Sequence, residues 1–471
     1  MRMRLSFRTV DTYAALATLT VVTALSVARI VPVLNTHIWL KGNEGWNAYH
    51  SVAAMSGGLL YPGQDGLFFN NYPPLSYYLV GLAGRLNGDI VVAGRVLSLI
   101  AFLAVTGLIF GLTRRMGCAN PSAALAGLTF AAPMAIATGY VGINEPQLVG
   151  HAISLAAVPI VWREPRRPAA IVVAALLLTL GVFVKHNLIV LPLAVLVWLL
   201  LFDRPAARWL LLSGAILGAV GLGFCFVQYG ANLVDQILSP RPYSLLRAAF
   251  MSLEWLKTGC VALALAAIAL VLAPRDRHAI FCEIYAVIAI ILGGLWAGGD
   301  GVNVNILFDA TIALAMTSGL VMKTWPAVPR LLYVVPVVVQ VVAFADASWF
   351  TLNPYAERQA DTARVVAILR ERPAPVVCQS LVLCFWAGQP ATVDLVGLRQ
   401  RYRLGSRDEQ EFIAWLDAHR FTAIQLYQRD QWPFSPRVRQ ALEQSYSVER
   451  EDSTGVLLLP RSRVADHDAP R

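Results

Sequence analysis

Two carboxylates, a lysine and an arginine stand out in this chain, because each borders or interrupts a run of apolar residues. Glu44 lies in Asn43-Glu44-Gly45-Trp46-Asn47-Ala48-Tyr49-His50, just past the first hydrophobic stretch. Glu145 stands in Gly142-Ile143-Asn144-Glu145-Pro146, and Lys185 opens the polar break Lys185-His186-Asn187 between two apolar runs. Two carboxylates from separate loops can orient an acceptor hydroxyl and take its proton. A lysine among them can neutralise a lipid phosphate or a departing phosphate oxygen. Arg95 sits early in an apolar run, where a guanidinium is costly unless it meets an anion, either Glu145 or a phosphate. Arg241 and Arg247, in the loop 230–252, are further phosphate candidates.

Each of these residues also has a plainer reading. Glu44 suits a helix start, with Asn43 as its cap and the helix dipole favouring a first-turn acid. Glu145 is equally a loop acid before proline, and Lys185 a lysine that snorkels from a helix end. The stretch Gly298-Gly299-Asp300-Gly301-Val302-Asn303-Val304-Asn305 is polar and glycine-rich. Asp300, Asn303 and Asn305 can bond a polyhydroxyl ligand that the glycines let approach, or the whole stretch is a flexible turn. Asp309, just inside the next apolar run, needs a partner there.

The elements that must position these groups are membrane spans. Of 471 residues, 57% are hydrophobic and 14% charged, far more apolar than a soluble domain. Several runs pass the ~18 apolar residues that cross a bilayer. The net charge of +9 then reflects arginines in short loops and calls for no nucleic acid. The first run, about 11–34, is too long for a signal core and reads as a retained anchor with Arg2, Arg4 and Arg8 on its cytoplasmic side. A polar loop over 35–72 follows, where Trp46, Tyr49 and Ala53 fit a short helix on the membrane surface.

The segment 73–87 is apolar but too short to cross. Further runs lie near 90–112, 119–139, 147–162, 168–184, 188–202, 207–228, 253–273, 279–297, 305–322 and 329–349. If 73–87 turns back or lies at the interface, Arg114, Arg115, Arg163, Arg166, Arg167, Arg204, Arg208, Arg275, Arg277, Lys323 and Arg330 all fall inside, as the positive-inside rule asks. That gives about 11 spans over residues 1–350, with Glu44, Glu145, Lys185, Asp300 and Asp309 toward the outer face.

From about 351 to 471 the composition turns soluble, and a small extracytoplasmic α/β domain is expected. Its elements read as helices near 355–372, 406–419 (Ser406 and Glu409 as a capping pair) and 434–446, with strands near 375–383, 421–428 and 455–460. Cys378 and Cys384 can pair in an oxidising compartment if the strand geometry allows it. The tail 466–471 reads as disordered. No zinc spacing, phosphate-binding loop or dinucleotide fingerprint is present in the sequence.

The constellation resembles the GT-C glycosyltransferases, in the branch of protein O-mannosyltransferases and lipid A aminoarabinose transferases. The likeness rests on Asn71-Tyr72-Pro73-Pro74-Leu75-Ser76-Tyr77-Tyr78, Ala93-Gly94-Arg95, Asn144-Glu145-Pro146, Val184-Lys185-His186-Asn187 and Asp408-Glu409-Gln410-Glu411-Phe412-Ile413-Ala414-Trp415-Leu416. It implies a polytopic α-helical enzyme that moves a sugar from a polyprenyl-phosphate donor to a lipid, glycan or protein hydroxyl at the periplasmic face of a bacterial inner membrane. The acids would serve the acceptor, and Lys185, Arg95 and Arg241 the donor phosphate. Asn43, Tyr72, His186, Asn187, Asp300, Asn303, Asn305 and Asp309 would line the substrate. Some relatives need a divalent cation such as Mg or Mn and some do not.

The family's Asp-Glu pair reads Asn43-Glu44 here, and an amide is not a base, which leaves Glu44 and Glu145 as candidates. Two other classes compete: a transporter or flippase of a lipid-linked sugar, and an inactive glycolipid-binding relative. The rim position of the acids and the lack of a repeat speak against the first. Asn43 is the best support for the second.

Overall fold

The computed structural model describes residues 7–40, 43–63, 65–137, 139–272, 276–344, 353–428 and 434–461. Packing divides the chain into two units: Met1–Asn35, Ser51–Tyr61 and Asn71–Thr351 form the first, and Thr36–His50, Pro62–Asn70 and Leu352–Arg471 the second.

The first unit is helical. Among the described residues six helices are long and apolar enough to cross a membrane: Thr9–Leu34, Ile90–Arg115, Arg204–Tyr229, Leu245–Leu270, Arg277–Trp296 and Val304–Thr324. Pro168–Val184, Val190–Phe202 and Arg330–Ala343 are apolar but shorter. The chain is a polytopic α-helical membrane protein. Val304–Thr324 is its central helix, with 83% of its most apolar window buried against 17–39% for the other five.

The run expected as one span at 147–162 is instead two helices, Gln147–Leu155 and Val158–Arg163. Pro159 explains the break, since it has no N–H to return to the preceding turn. Helix Leu75–Asn87 ends on Gly88 in the left-handed region (φ 83°). Its 13 residues reach about 20 Å, short of a ~30 Å hydrocarbon core.

Two contacts fix which helix ends share one side of the first unit. Asp11, near the start of the first helix, accepts from the Arg330 N–H at 2.6 Å, and Lys323 Nζ donates to Met116 O at 2.6 Å. The first helix therefore leaves the same end to which Ile90–Arg115 returns. Leu75–Asn87 finishes at the opposite end, where Ile90–Arg115 starts.

The second unit holds a four-stranded sheet: β1 (Val376–Cys378), β2 (Ala423–Leu426), β3 (Tyr446–Asp452) and β4 (Gly455–Pro460), in the order β1-β2-β4-β3. β1 and β2 are parallel, and the other two pairings are antiparallel. Phe412, Leu416, Phe421, Ile424, Val438 and Leu458 fill its core.

Several expectations change here. The strand expected over 375–383 stops at Cys378, and Leu381–Trp386 is helical. Helix Gln410–Asp417 starts after Glu409, while Ser406 Oγ donates to Arg401 O instead of capping. Strand β3 and helix Leu395–Arg403 were not anticipated; Asp394 caps that helix, accepting from Val396 and Gly397 N–H at 3.0 and 3.1 Å. The tail 466–471 lies outside the described residues.

Trp46 and Tyr49, expected at headgroup depth, pack inside this unit. Trp46 Nε1 donates to Phe69 O, Tyr49 Oη donates to Gln389 O, and the Tyr49 ring meets Phe68 and Phe385 edge-on. At Gly45 an added Cβ would lie 2.0 Å from Val382 N, so the helix start needs glycine there.

Cys378 and Cys384 are disulfide-bonded with Cα atoms 5.9 Å apart. A continuous strand would have held those positions about 20 Å apart; the turn from strand to helix makes the bond possible. A loop this short is worth about 2 kcal/mol by loop-closure entropy. Cys378→Ser in the full chain should therefore lower the temperature at which the second unit becomes protease-sensitive, and reductant should do the same to wild type. Resistance unchanged in both cases would contradict the bond.

Candidate active site

The first unit builds one polar cluster around Glu145, Lys185 and Asn305, which come from separate segments. Two close helix contacts assemble it. A Cβ at Gly181 would lie 1.8 Å from Ser154 Oγ, and one at Gly150 would lie 2.2 Å from Leu188 Cδ1. Glycine lets helices Gln147–Leu155 and Pro168–Val184 approach closely. That approach sets Lys185, the C-cap of the second, beside Glu145, just before the first. Asn144 fits in the same way: its side chain occupies the space a Cβ at Gly94 would need, 1.9 Å from Oδ1.

Lys185 Nζ donates to Glu145 Oε1 at 2.6 Å, with both side chains about 95% buried or more. Glu145 Oε2 accepts the Gln147 N–H at 2.7 Å, so both carboxylate oxygens are engaged. The Lys185 ammonium also lies 4.6 Å from the centre of the Tyr72 ring. Burial pushes the lysine pKa down, and the Glu145 carboxylate, with Tyr72, more than restores it, so the net direction is upward. Lys185 stays charged.

A row of buried polar groups continues inward. Asn305 turns its amide oxygen to Lys185 Nζ at 3.1 Å and its nitrogen to Asn303 O at 3.0 Å, and the oxygen lies 3.3 Å from the Gln147 amide. The other Gln147 amide atom is 3.1 Å from His151 Nε2. His151 Nδ1 is 3.8 Å from Asp309 Oδ1, which accepts from Tyr285 Oη at 2.6 Å. Asp309 is thus engaged within the helix bundle.

His186 and Asn187 follow Lys185 in the turn. His186 Nδ1 and Asn187 Oδ1 are buried with no hydrogen-bond partner. Burial, with the charges of Arg241 and Lys185 adding to it, pushes the His186 pKa down to about 4, so the ring is neutral at pH 7. Arg241 therefore sits in the electrostatic reach of this turn. Arg95 is fully buried, and its Nη1 donates to Val33 O at 2.8 Å.

The glycine-rich loop serves the protein's own backbone. Tyr243 and Gly299 form a β-bridge, Asp300 N–H donates to Pro242 O at 2.8 Å, and a Cβ at Gly298 would lie 2.5 Å from the Tyr243 ring. Asn303 is exposed and its Oδ1 accepts from Val304 N–H, so Asn305 alone of that pair reaches the cluster. In the second unit, Glu44 is fully buried in a first helical turn, whereas Asn43 is exposed and its carbonyl accepts from Asn47 N–H at 2.8 Å.

Gln147, His151 and Tyr285 escaped the sequence reading. The available signal was the Gln147/His151 pair, four residues apart in an apolar run, which puts two polar groups on one helix face.

The sequence profile of the dolichyl-phosphate-mannose-protein mannosyltransferases matches residues 71–230, a stretch that holds Tyr72, Arg95, Glu145 and Lys185. The structure is similar to that of ArnT from Cupriavidus metallidurans bound to undecaprenyl phosphate, with TM-score 0.62, 14% identity, and 96% of this chain and 99% of that one covered. The likeness extends over nearly the whole of both chains and is one of fold. The apo form of the same ArnT aligns comparably, with TM-score 0.61, 14% identity, and 94% and 98% covered. No curated protein sequence matches this chain. Among its described residues no three His, Cys, Asp or Glu side chains gather as a cation cage.

Removing one partner of a buried ion pair typically costs 3–5 kcal/mol, because the other charge is left uncompensated. Glu145→Gln and Lys185→Met should each lower thermal stability in detergent, and the double variant should be more stable than either single one. Strictly additive losses would show that the pair is not interacting.

Proposed function

We propose that this chain moves a sugar from a polyprenyl-phosphate donor to a hydroxyl of a lipid, glycan or protein, with inversion, at the periplasmic face of a bacterial inner membrane. One observation carries the reading. An apolar cavity of about 610 Å³ is lined by Leu178, Val182, Leu193, Leu210, Gly214 and Gly218, and is bordered by Pro73, Pro74 and His186. Its polar edge is thus the residue that follows Lys185. Such a cavity suits an isoprenoid tail, and a phosphate at the end of that tail would meet a buried ammonium.

The chemistry follows from the groups present. The acceptor oxygen attacks the anomeric carbon, the bond from that carbon to the phosphate oxygen breaks, and polyprenyl phosphate leaves. The Lys185 ammonium stabilises the charge that develops on the departing phosphate, with Arg241 adding to the field. His186 Nδ1, as an N–H, donates to the phosphate, and Asn187 Oδ1 accepts from a sugar hydroxyl. Glu145 holds Lys185 charged and in place. Glu44 takes the acceptor proton, the role the resemblance implies for this position and one that Asn43 cannot fill. Arg95, buried in the same unit, donates to Val33 O of the first helix.

The orientation rests on charge. Asp309 and Asn305 belong to the start of the central helix, and Lys323 to its far end, which also carries Arg330 and Arg114. With that basic end cytoplasmic, the polar cluster lies toward the outer face.

The test uses membranes carrying wild type, Lys185→Met or Glu44→Gln, each given a labelled polyprenyl-phosphate sugar. Transfer to an endogenous acceptor should fall by about 10²–10³ in both variants. Full transfer by Glu44→Gln would remove that residue as the base, and no transfer by wild type would sink the reading.

A further inference from the structure

The buried row behind Lys185 fixes where a proton must sit. An ammonium only donates, so the Asn305 atom 3.1 Å from Lys185 Nζ is its amide oxygen. That oxygen lies 3.3 Å from the Gln147 amide, and two oxygens cannot bond each other, so Gln147 presents its N–H there. The Gln147 oxygen is then the atom 3.1 Å from His151 Nε2. A carbonyl oxygen only accepts. His151 must therefore carry a proton on Nε2.

On its other side the ring faces Asp309 Oδ1 at 3.8 Å, which Tyr285 Oη fixes at 2.6 Å. Every member of the row is buried. The groups facing His151 are Gln147 on its own helix, Asp309 on the central helix and, beyond the amides, the Lys185–Glu145 pair.

We infer that His151 is a positioning residue: its Nε2–H sets the direction of the Gln147 and Asn305 amides, and through them holds an acceptor against the Lys185 ammonium. Donation runs from His151 to Gln147 to Asn305, and Lys185 donates into the same Asn305 oxygen from the other side. Reversing Asn305 would set donor against donor at the lysine, and reversing Gln147 would set oxygen against oxygen at Asn305. The lysine is then aimed by three fixed contacts, Glu145, Asn305 and the Tyr72 ring, before any donor arrives. This inference rests on the proposed transfer only for its kinetic consequence; the proton's place does not depend on it.

Two measurements on the full-length protein decide it. The first is a ¹⁵N spectrum of histidine-labelled wild type in detergent, with the His151 signals among the seven histidines identified by their loss in His151→Gln. Nε2 should resonate as a protonated ring nitrogen. A bare Nε2 with the proton on Nδ1 alone overturns the inference, whatever the activity. The second compares His151→Gln, whose amide N–H can still donate to Gln147, with His151→Phe, which keeps a ring but no donor.

Because Lys185 stays charged in both, the donor KM should remain within about two-fold. The kcat should fall on the order of ten- to a hundred-fold in the Phe variant and recover substantially in the Gln variant. Equal kcat in the two variants overturns the positioning role. If wild type transfers no sugar, the functional reading fails while the spectrum still decides the row.

Discussion

The salt bridge between Glu145 and Lys185 is the constraint around which the first unit is built. Both charges are taken from water, which is costly, and the cost is offset only by a short contact with the remaining hydrogen bonds filled. The structure meets that condition closely. Glu145 uses one oxygen for the ammonium at 2.6 Å and the other for the Gln147 N–H at 2.7 Å. Gly150 and Gly181 exist for the same purpose, since any side chain there would hold apart the two helices that bring the charges together. A cation kept charged in a dry setting is what an anionic leaving group needs.

The position of that cation matters as much as its charge. Lys185 ends one apolar helix and opens the turn that borders the 610 Å³ cavity. A lipid whose tail fills the cavity would present its headgroup at this turn, where His186 and Asn187 keep buried polar atoms unsatisfied. Pro73 and Pro74, just before helix Leu75–Asn87, stand on the cavity wall.

How much of this could be read from the residues depended on contrast. Lys185, Glu145 and Arg95 were legible because charge in an apolar run is expensive and therefore conspicuous. Gln147 and His151 were not, because an uncharged polar residue inside a span-like run alters hydropathy little, and only the fold shows which face it occupies. The glycine-rich loop at 298–301 misled in an instructive way: glycine permits close backbone approach, but its partner proved to be residues 242–244 of the chain itself. In the second unit, three-residue β1 was overread into a longer strand because Leu381–Trp386 is as apolar as a strand would be. Asp394, the cap of the helix that went unnoticed, was a local signal that could have found it.

The central claim is that Lys185 receives the phosphate of a polyprenyl carrier whose tail lies in the apolar cavity. Native mass spectrometry of the detergent-released protein titrated with polyprenyl phosphate tests it without needing the sugar or the acceptor. Wild type should hold one carrier molecule. Lys185→Met should weaken that binding by removing the charge, and Gly218→Leu should weaken it by filling the open cavity wall, where an added Cβ meets nothing within 4 Å. Undiminished binding in both variants would contradict the account.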